Sequence, residues 1–272
     1  MSPETRLGWR GRLVALRGIV WREALRFSRQ RERFLAALVR PLVWLFIFAA
    51  GLRSVVGISI IEPYETHILY EVYVIPGLCA MILLFQGMQS SLSMVYDRDT
   101  GAMRTLLVSP YPRWFLLTAK LLAGVAVSLL QVYAFLAIAW LYGIEPPAIG
   151  YLAVLPALVL SGMMLGALGL LLSATIKQLE NFAGVMNFVI FPMFFASSAL
   201  YPLSRIKESS LELWYVCAVN PFTYATELIR FALHGQVEWV SLAVVIGATA
   251  AFMGGAIYAY DPSKRLIARR GR

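Results

Sequence analysis

The chain has 272 residues, of which 60% are hydrophobic and 14% charged, with a formal net charge of +9. Soluble domains carry roughly 45–50% apolar and about 25% charged residues, so this composition excludes an ordinary soluble protein and describes a membrane protein. The basic residues sit beside apolar segments, where anionic lipid attracts them, which argues against nucleic acid as their partner.

A helix crossing a hydrocarbon core about 30 Å thick needs about 20 mainly apolar residues. Six segments meet that test, at about 35–60, 73–96, 115–142, 150–174, 182–201 and 238–260. Barrel strands would alternate in polarity, whereas Leu152 to Leu172 is apolar on every side, so the predicted fold is an all-α membrane bundle with six transmembrane helices.

Over the first forty residues ten arginines are scattered with no short apolar core or cleavage site, so no signal peptide is expected. Within residues 11–33, Leu13, Leu16, Val20, Ala24 and Phe27 recur at helical spacing among Arg12, Arg17, Arg22, Arg26 and Arg29. This predicts a basic amphipathic helix lying in the membrane interface, either as a lipid anchor alone or with a cytoplasmic partner on its polar face.

The first span is expected to begin at Arg40-Pro41, since proline suits a first helical turn, with Trp44, Phe46 and Phe48 following. Span two opens with Pro76-Gly77, contains Cys79, and carries Gln86, Gln89, Ser90, Ser91 and Ser93 in its second half. These polar groups either bond between helices or line a translocation surface.

Between spans two and three, Asp97 and Asp99 favour a helix N-terminus and Asp99 or Thr100 can cap it. Met103, Leu106 and Leu107 then form an apolar face, and Pro110 and Pro112 end the segment. Such a helix, held tightly between two spans, can pass a rigid-body movement from a docked soluble domain into both; the plainer reading is a solvated connector. In span four, Ser161, Gly162, Gly166, Gly169 and Ser173 allow close approach of another helix.

Residues 202–236 are too many for a turn and too apolar for disorder. Asn220-Pro221 breaks the run, because proline disfavours helix in the residue before it. Two short re-entrant helices dipping into the outer leaflet are expected there, bracketed by Arg205 to Glu212 and by Glu227 and Arg230. Cys79 and Cys217 read as packing residues.

Orientation follows from charge. The N-terminal segment, the 97–120 loop, Lys177 and the C-terminal tail together hold twenty of the twenty-four basic residues. Arg53, Arg205, Lys207 and Arg230 share the other side with eight of the fifteen acidic residues, which predicts cytoplasmic termini.

Catalytic chemistry is not legible. The spans are read as nearly free of ionisable groups, and His67 and His234 lie in outer loops outside any metal-ligand spacing. No phosphate loop of the form G-x-x-x-x-G-K followed by Ser or Thr occurs, so an energy source would lie in another chain.

The stretch VYDRDTGAMRTLLVSPYPRWFLLTAKLL resembles the second-to-third-span region of the ABC-2 type permeases of ATP-binding-cassette exporters, where an acidic-Arg element precedes G-x-x-x-x-L-x-x-Ser/Thr-Pro. Asp97, Arg98, Gly101, Leu106, Ser109 and Pro110 fill that pattern, followed by Lys120. FPMFFASSALYPLSRI and VNPFTYATELIRFAL resemble the family's fifth-span end and its Asn-Pro, here Asn220 and Pro221, before the short outer helices. The likeness runs over nearly the whole chain as one domain, residues 1–272, and is strongest to the NodJ-like and daunorubicin-type drug-export branch.

That resemblance implies a non-enzymatic permease subunit of an exporter in the bacterial inner membrane. It would act as a homodimer or pseudodimer on separate nucleotide-binding subunits, which would bind ATP and Mg2+, with no cofactor in this chain. It makes residues 97–112 the coupling helix, with Asp97, Arg98, Asp99, Gly101, Met103, Arg104, Leu106, Ser109 and Pro110 facing the ATPase. It also nominates Trp44, Phe48, Phe85, Gln86, Gln89, Asn187, Phe191 and Phe194 as the path of an amphipathic, lipid-linked, glycan or drug-like cargo. The alternatives are a membrane-embedded enzyme, an ATP-independent carrier, or a subunit coupling ATP hydrolysis to assembly or signalling.

Overall fold

Hydrocarbon offers a chain no water to bond with, so backbone groups must be satisfied within the segment, and helices do this. In the computed structural model, which describes residues 9–29, 31–49, 51, 62–64, 69–99, 111–144, 147–176 and 178–260, every regular element is helical. Helix α1 covers Trp9–Arg29 and α2 covers Arg31–Val43, continuing into a π-helical segment, Trp44–Ala49. Helices α3 (Tyr70–Asp99), α4 (Arg113–Leu141) and α5 (Gly150–Thr175) follow, then α6 (Leu179–Phe195). Three short helices, α7 (Leu203–Ser209), α8 (Leu211–Val219) and α9 (Pro221–Leu233), precede α10 (Trp239–Ala259).

Four stretches are long and apolar enough to cross a membrane: Tyr70–Tyr96, Trp114–Leu141, Gly150–Thr175 and Trp239–Ala259. The segments expected as the first and fifth spans contain shorter apolar stretches, Ala37–Ile47 and Gly184–Phe195. Helix α6 stops at Phe195 rather than near 201 because serine competes for its backbone. Ser197 Oγ donates to the Phe194 carbonyl at 2.6 Å and accepts from Ala199 N at 3.2 Å, closing a turn.

The start of the first membrane helix departs from expectation. Pro41 lies inside α2, not in its first turn. Proline lacks the N–H that would bond the carbonyl four residues back, here that of Ala37, and the helix widens into the π-helical segment shortly after. Arg40 therefore lies within the apolar helical stretch Ala37–Ile47.

Helix α3 is the centre of the bundle. Of its apolar window 72% is buried, against 17% for α10, so α3 is surrounded by protein and α10 is peripheral. Tyr73, Leu78, Leu84 and Met88 of α3 pack in one core with Phe135 of α4, Leu158 and Leu165 of α5, and Phe222 of α9. Close approach of α3 and α5 depends on glycine. A Cβ on Gly87 would lie 2.9 Å from the Gly166 Cα, and one on Gly169 2.9 Å from the Gly87 carbonyl oxygen. The glycines of span four thus admit another helix closely, as expected, and that helix is α3.

Residues 202–236 form three short helices where two were expected. Ser210 interrupts the run between α7 and α8, its hydroxyl accepting from Leu213 N at 3.3 Å as an N-cap. The predicted break at Asn220-Pro221 is present, with Asn220 capping α9 and Pro221 in its first turn.

Candidate functional site

Two polar constructions stand out in this apolar bundle. One lies at the Tyr70 end of α3 and the other near that helix's midpoint.

At the Tyr70 end, the turn after α6 is tied to α3 and α9. Tyr70 donates its hydroxyl to the Leu200 carbonyl at 3.1 Å, and Tyr73 donates to the Ser198 carbonyl at 2.9 Å. Arg230 of α9, 2% exposed, donates Nη2 to the same Ser198 oxygen at 2.9 Å, while Nη1 bonds Glu227 one helical turn earlier. Its guanidinium carbon lies 4.1 Å from the Tyr73 ring centroid. Tyr64, from the segment before α3, sets its ring 4.8 Å from that of His234, and burial pushes its phenol up while the Arg230 charge pulls it down. In the sequence Arg230 brackets the re-entrant segment, and in the structure it is buried. Its spacing of three from Glu227 on one helix was the available signal.

Asn220 fixes the other side of this end. Its Oδ1 accepts from Phe222 N at 3.0 Å, which caps α9. Its Nδ2 donates to the carbonyls of Met193 at 2.7 Å and Ala196 at 2.6 Å. These are carbonyls at the C-terminal end of α6, where a helix leaves acceptors without intrahelical partners.

Near the midpoint of α3, a cavity of about 100 Å³ opens between α2, α3 and α4. Ala37, Arg40, Phe85, Gln86, Gln89 and Gln131 are among the residues that line it. The Arg40 guanidinium carbon lies 3.6 Å from the Phe85 ring centroid, within cation–π range. No carboxylate among the described residues pairs with Arg40. Gln131 is 2% exposed, and its Oε1 has no hydrogen-bond partner. On insertion scales a charged side chain at the centre of a spanning helix costs about 2.5–3.5 kcal/mol, and such residues characteristically face cavities or partners.

The polar run of α3 divides between two tasks. Ser91 Oγ donates to the Gly87 carbonyl at 2.9 Å and Ser93 Oγ to that of Ser90 at 2.7 Å, so these serines satisfy themselves on their own helix. Gln86 and Gln89 turn toward the cavity.

The nominated path residues separate accordingly. Phe85, Gln86 and Gln89 border the cavity. Trp44 and Phe194 belong to an aromatic cluster, their rings 5.5 Å apart edge to face, with Phe195 5.8 Å from Trp44 and Phe222 6.1 Å from Phe194. Phe191 is exposed and stacks on Phe195, and Asn187 is exposed on α6. Phe48 belongs to the π-helical segment, and its side chain is outside the described residues. Arg40 and Gln131 escaped the sequence reading. In sequence the first reads as a flank of the span, and the second is a lone amide in an apolar helix.

Asp97, Arg98 and Asp99 form the last turn of α3, with their side chains outside the description. Gly101, Met103, Arg104, Leu106, Ser109 and Pro110 lie outside the described residues altogether. Beyond them Tyr111 donates its hydroxyl to the Gly11 carbonyl of α1 at 2.9 Å, so the far side of this loop touches the N-terminal helix.

Residues 14–234 match the family described as ABC-2 type transporter. A protein of Cyanophora paradoxa named transport permease ycf38 is 28% identical over 228 residues, covering 82% of this chain and 74% of that one. A namesake from Porphyra purpurea is 25% identical over 227 residues, covering 82% and 75%. An Escherichia coli protein named multidrug ABC transporter permease YbhR is 31% identical over 201 residues, covering 72% of this chain and 54% of its own length.

Proposed function

The chain belongs to the ABC-2 type transporter family of membrane-embedded ABC transporter subunits, and on that premise we propose that it is the permease of an ATP-driven exporter. The observation that carries this reading is the family match over residues 14–234 in a sequence with no phosphate loop of its own. ATP and Mg2+ are then bound by a separate nucleotide-binding subunit, and this chain contributes membrane path and coupling rather than catalysis.

In this reading α2 with its π-helical segment, and α6 with the turn after it, complete a six-span subunit alongside the four long helices. Helix α1 lies in the cytoplasmic interface as a basic amphipathic helix. Residues 97–112 receive the ATPase movement at the Asp99 end of α3 and pass it into α3 and α4, while the bond from Tyr111 to α1 supports joint movement of both contacts. The subunit pairs with a second copy in the bacterial inner membrane with both termini cytoplasmic, and carries an amphipathic cargo outward. Residues 202–236 form the outer re-entrant helices closing the far side. A multidrug permease among the relatives supports an amphipathic cargo. Arg40 within α2 would also suit an ATP-independent carrier, but the family match favours the ATP-driven reading.

The test replaces Gly101 and Leu106 with glutamate in the full chain, co-expressed with its ATPase. Membrane insertion is expected to persist while ATP-dependent transport of a fluorescent amphipathic dye is lost. Undiminished transport by the double variant would refute the coupling role of this loop.

A further inference from the structure

The cavity between α2, α3 and α4 combines features that a packing defect does not need. Its lining includes one arginine and three glutamines. Arg40 has only the Phe85 ring as a described partner and is itself exposed, so the charged wall can be reached from outside the bundle. Gln131 Oε1 is buried without a donor, although buried polar atoms are normally paired. Pro41, also on the lining, cannot donate to the Ala37 carbonyl, which leaves an acceptor beside the same space.

We infer that this cavity holds the anionic head group, a phosphate or a carboxylate, of an amphiphile. The Arg40 guanidinium pairs with the anion in the fork geometry that suits planar or tetrahedral oxyanions. The side-chain amides of Gln86 and Gln89 supply N–H donors, and Gln131 Oε1 accepts from a hydroxyl or amide of the same head group. At about 100 Å³ the space exceeds the 10–15 Å³ that one water needs, so it has room for a polar group and accompanying water. The apolar tail leaves along the exposed side of α2, where Val39 and Val43 face outward.

This deepens the transport reading by naming the head-group chemistry, and it rests on that reading only in treating the occupant as cargo. Binding is therefore tested without ATP. The purified full chain is placed in phosphatidylcholine nanodiscs and titrated calorimetrically with dodecyl phosphate. Saturable binding at one site per chain is expected, with dodecyl maltoside and dodecyltrimethylammonium failing to compete. Arg40→Gln is expected to weaken it about tenfold or more and Arg40→Lys to restore most of the loss, since an ion pair with a charged hydrogen bond is at stake. At pH 5, where the phosphate monoester keeps one P–OH to donate, Gln131→Leu is expected to weaken it about fivefold, the worth of one neutral hydrogen bond.

Competition by phosphatidylglycerol added to the disc would identify a membrane lipid as the source of the head group; its failure to compete would point to a soluble amphiphile. Three outcomes overturn the inference: absence of saturable binding, equal binding by dodecyl maltoside, or an unchanged affinity in Arg40→Gln. Dispersal of a dimer by Arg40→Gln in a chain that never binds dodecyl phosphate would also overturn it, making Arg40 an intersubunit contact. Loss of ATP-driven movement in a chain that still binds dodecyl phosphate would count against the transport reading alone.

Discussion

Tyr73 and Arg230 donate to one acceptor, the carbonyl oxygen of Ser198, each at 2.9 Å. The tyrosine comes from the central helix, the arginine from the last of the three short helices, and the carbonyl from the turn after α6. One backbone oxygen thus ties together three elements distant in sequence. The arginine carries a full charge into this junction, and Glu227 balances it.

Removing that balance is costly, because it leaves a buried charge uncompensated, an effect of about 3–5 kcal/mol. Glu227→Gln is therefore expected to destabilise the chain strongly, while Glu227→Leu with Arg230→Met, which removes both charges, lies closer to the parent. Cys79 and Cys217 are fully buried free thiols, so a thiol-reactive dye reports unfolding during heating. A single variant melting with the parent, or below it by no more than the double, would show that Arg230 is not held by this pair.

Asn220 does more than cap a helix. Aspartate caps as well as asparagine does, so a pure N-cap would tolerate Asn220→Asp. Here the amide nitrogen also donates to Met193 and Ala196, and an aspartate would set one negative oxygen against both carbonyls. Asn220→Asp is expected to lower the thermal midpoint at least as far as Asn220→Ala, which forfeits about 1 kcal/mol for the cap and about 1 kcal/mol for each further bond. An aspartate variant as stable as the parent would reduce Asn220 to a cap.

Much of this architecture was legible. Apolar run length gave the four long helices, the Asn-Pro pair gave the start of α9, and the glycines of span four gave its close packing on α3. What escaped has a common physical cause, since a sequence shows which residues are polar but not what they meet. Arg40-Pro41 has the signature of a helix start, yet Arg31 and Arg33 already lie in that helix and the proline sits near its other end. Arg230 reads as a loop charge until Glu227, Tyr73 and Ser198 surround it. Gln131 is one amide in an apolar helix, and only the packing of α2 against α3 and α4 makes it the wall of a cavity.

Glycine substitutions separate packing from propensity. A Cβ on Gly87 would meet the backbone of Gly166 and Leu165 at 2.9 to 3.2 Å, and backbone cannot rotate away. Gly87→Ala is expected to cost about 1–3 kcal/mol, the range for overpacking. A Cβ on Gly166 would strike the far end of the Leu121 side chain, which can move, so Gly166→Ala should cost less. Gly184 on α6 has nothing within 4 Å, and Gly184→Ala should raise stability by about 0.5–1 kcal/mol through helix propensity. Dye-monitored melting of the three variants in detergent checks the order, and a Gly87→Ala chain more stable than Gly184→Ala would refute the close α3–α5 contact.

The proposed orientation rests on charge, and the structure alters the count without changing its sign. Arg40 lies within α2 and Lys120 is buried within α4, which leaves eighteen basic residues on the side proposed as cytoplasmic. Arg230 is buried in an ion pair, which leaves Arg53, Arg205 and Lys207 on the other. Lys264, Arg265, Arg269, Arg270 and Arg272 follow α10 closely, within the range over which basic residues set topology. Alkaline phosphatase, which folds only outside the cytoplasm, is expected to be inactive when fused after Arg272 and active when fused after Ser209, between α7 and α8. A fluorescent protein that matures in the cytoplasm should give the opposite pattern at the same two sites. Active phosphatase after Arg272 would place the tail, and with it the α3–α4 loop, on the side away from any cytoplasmic ATPase, and the coupling reading would fall with the topology.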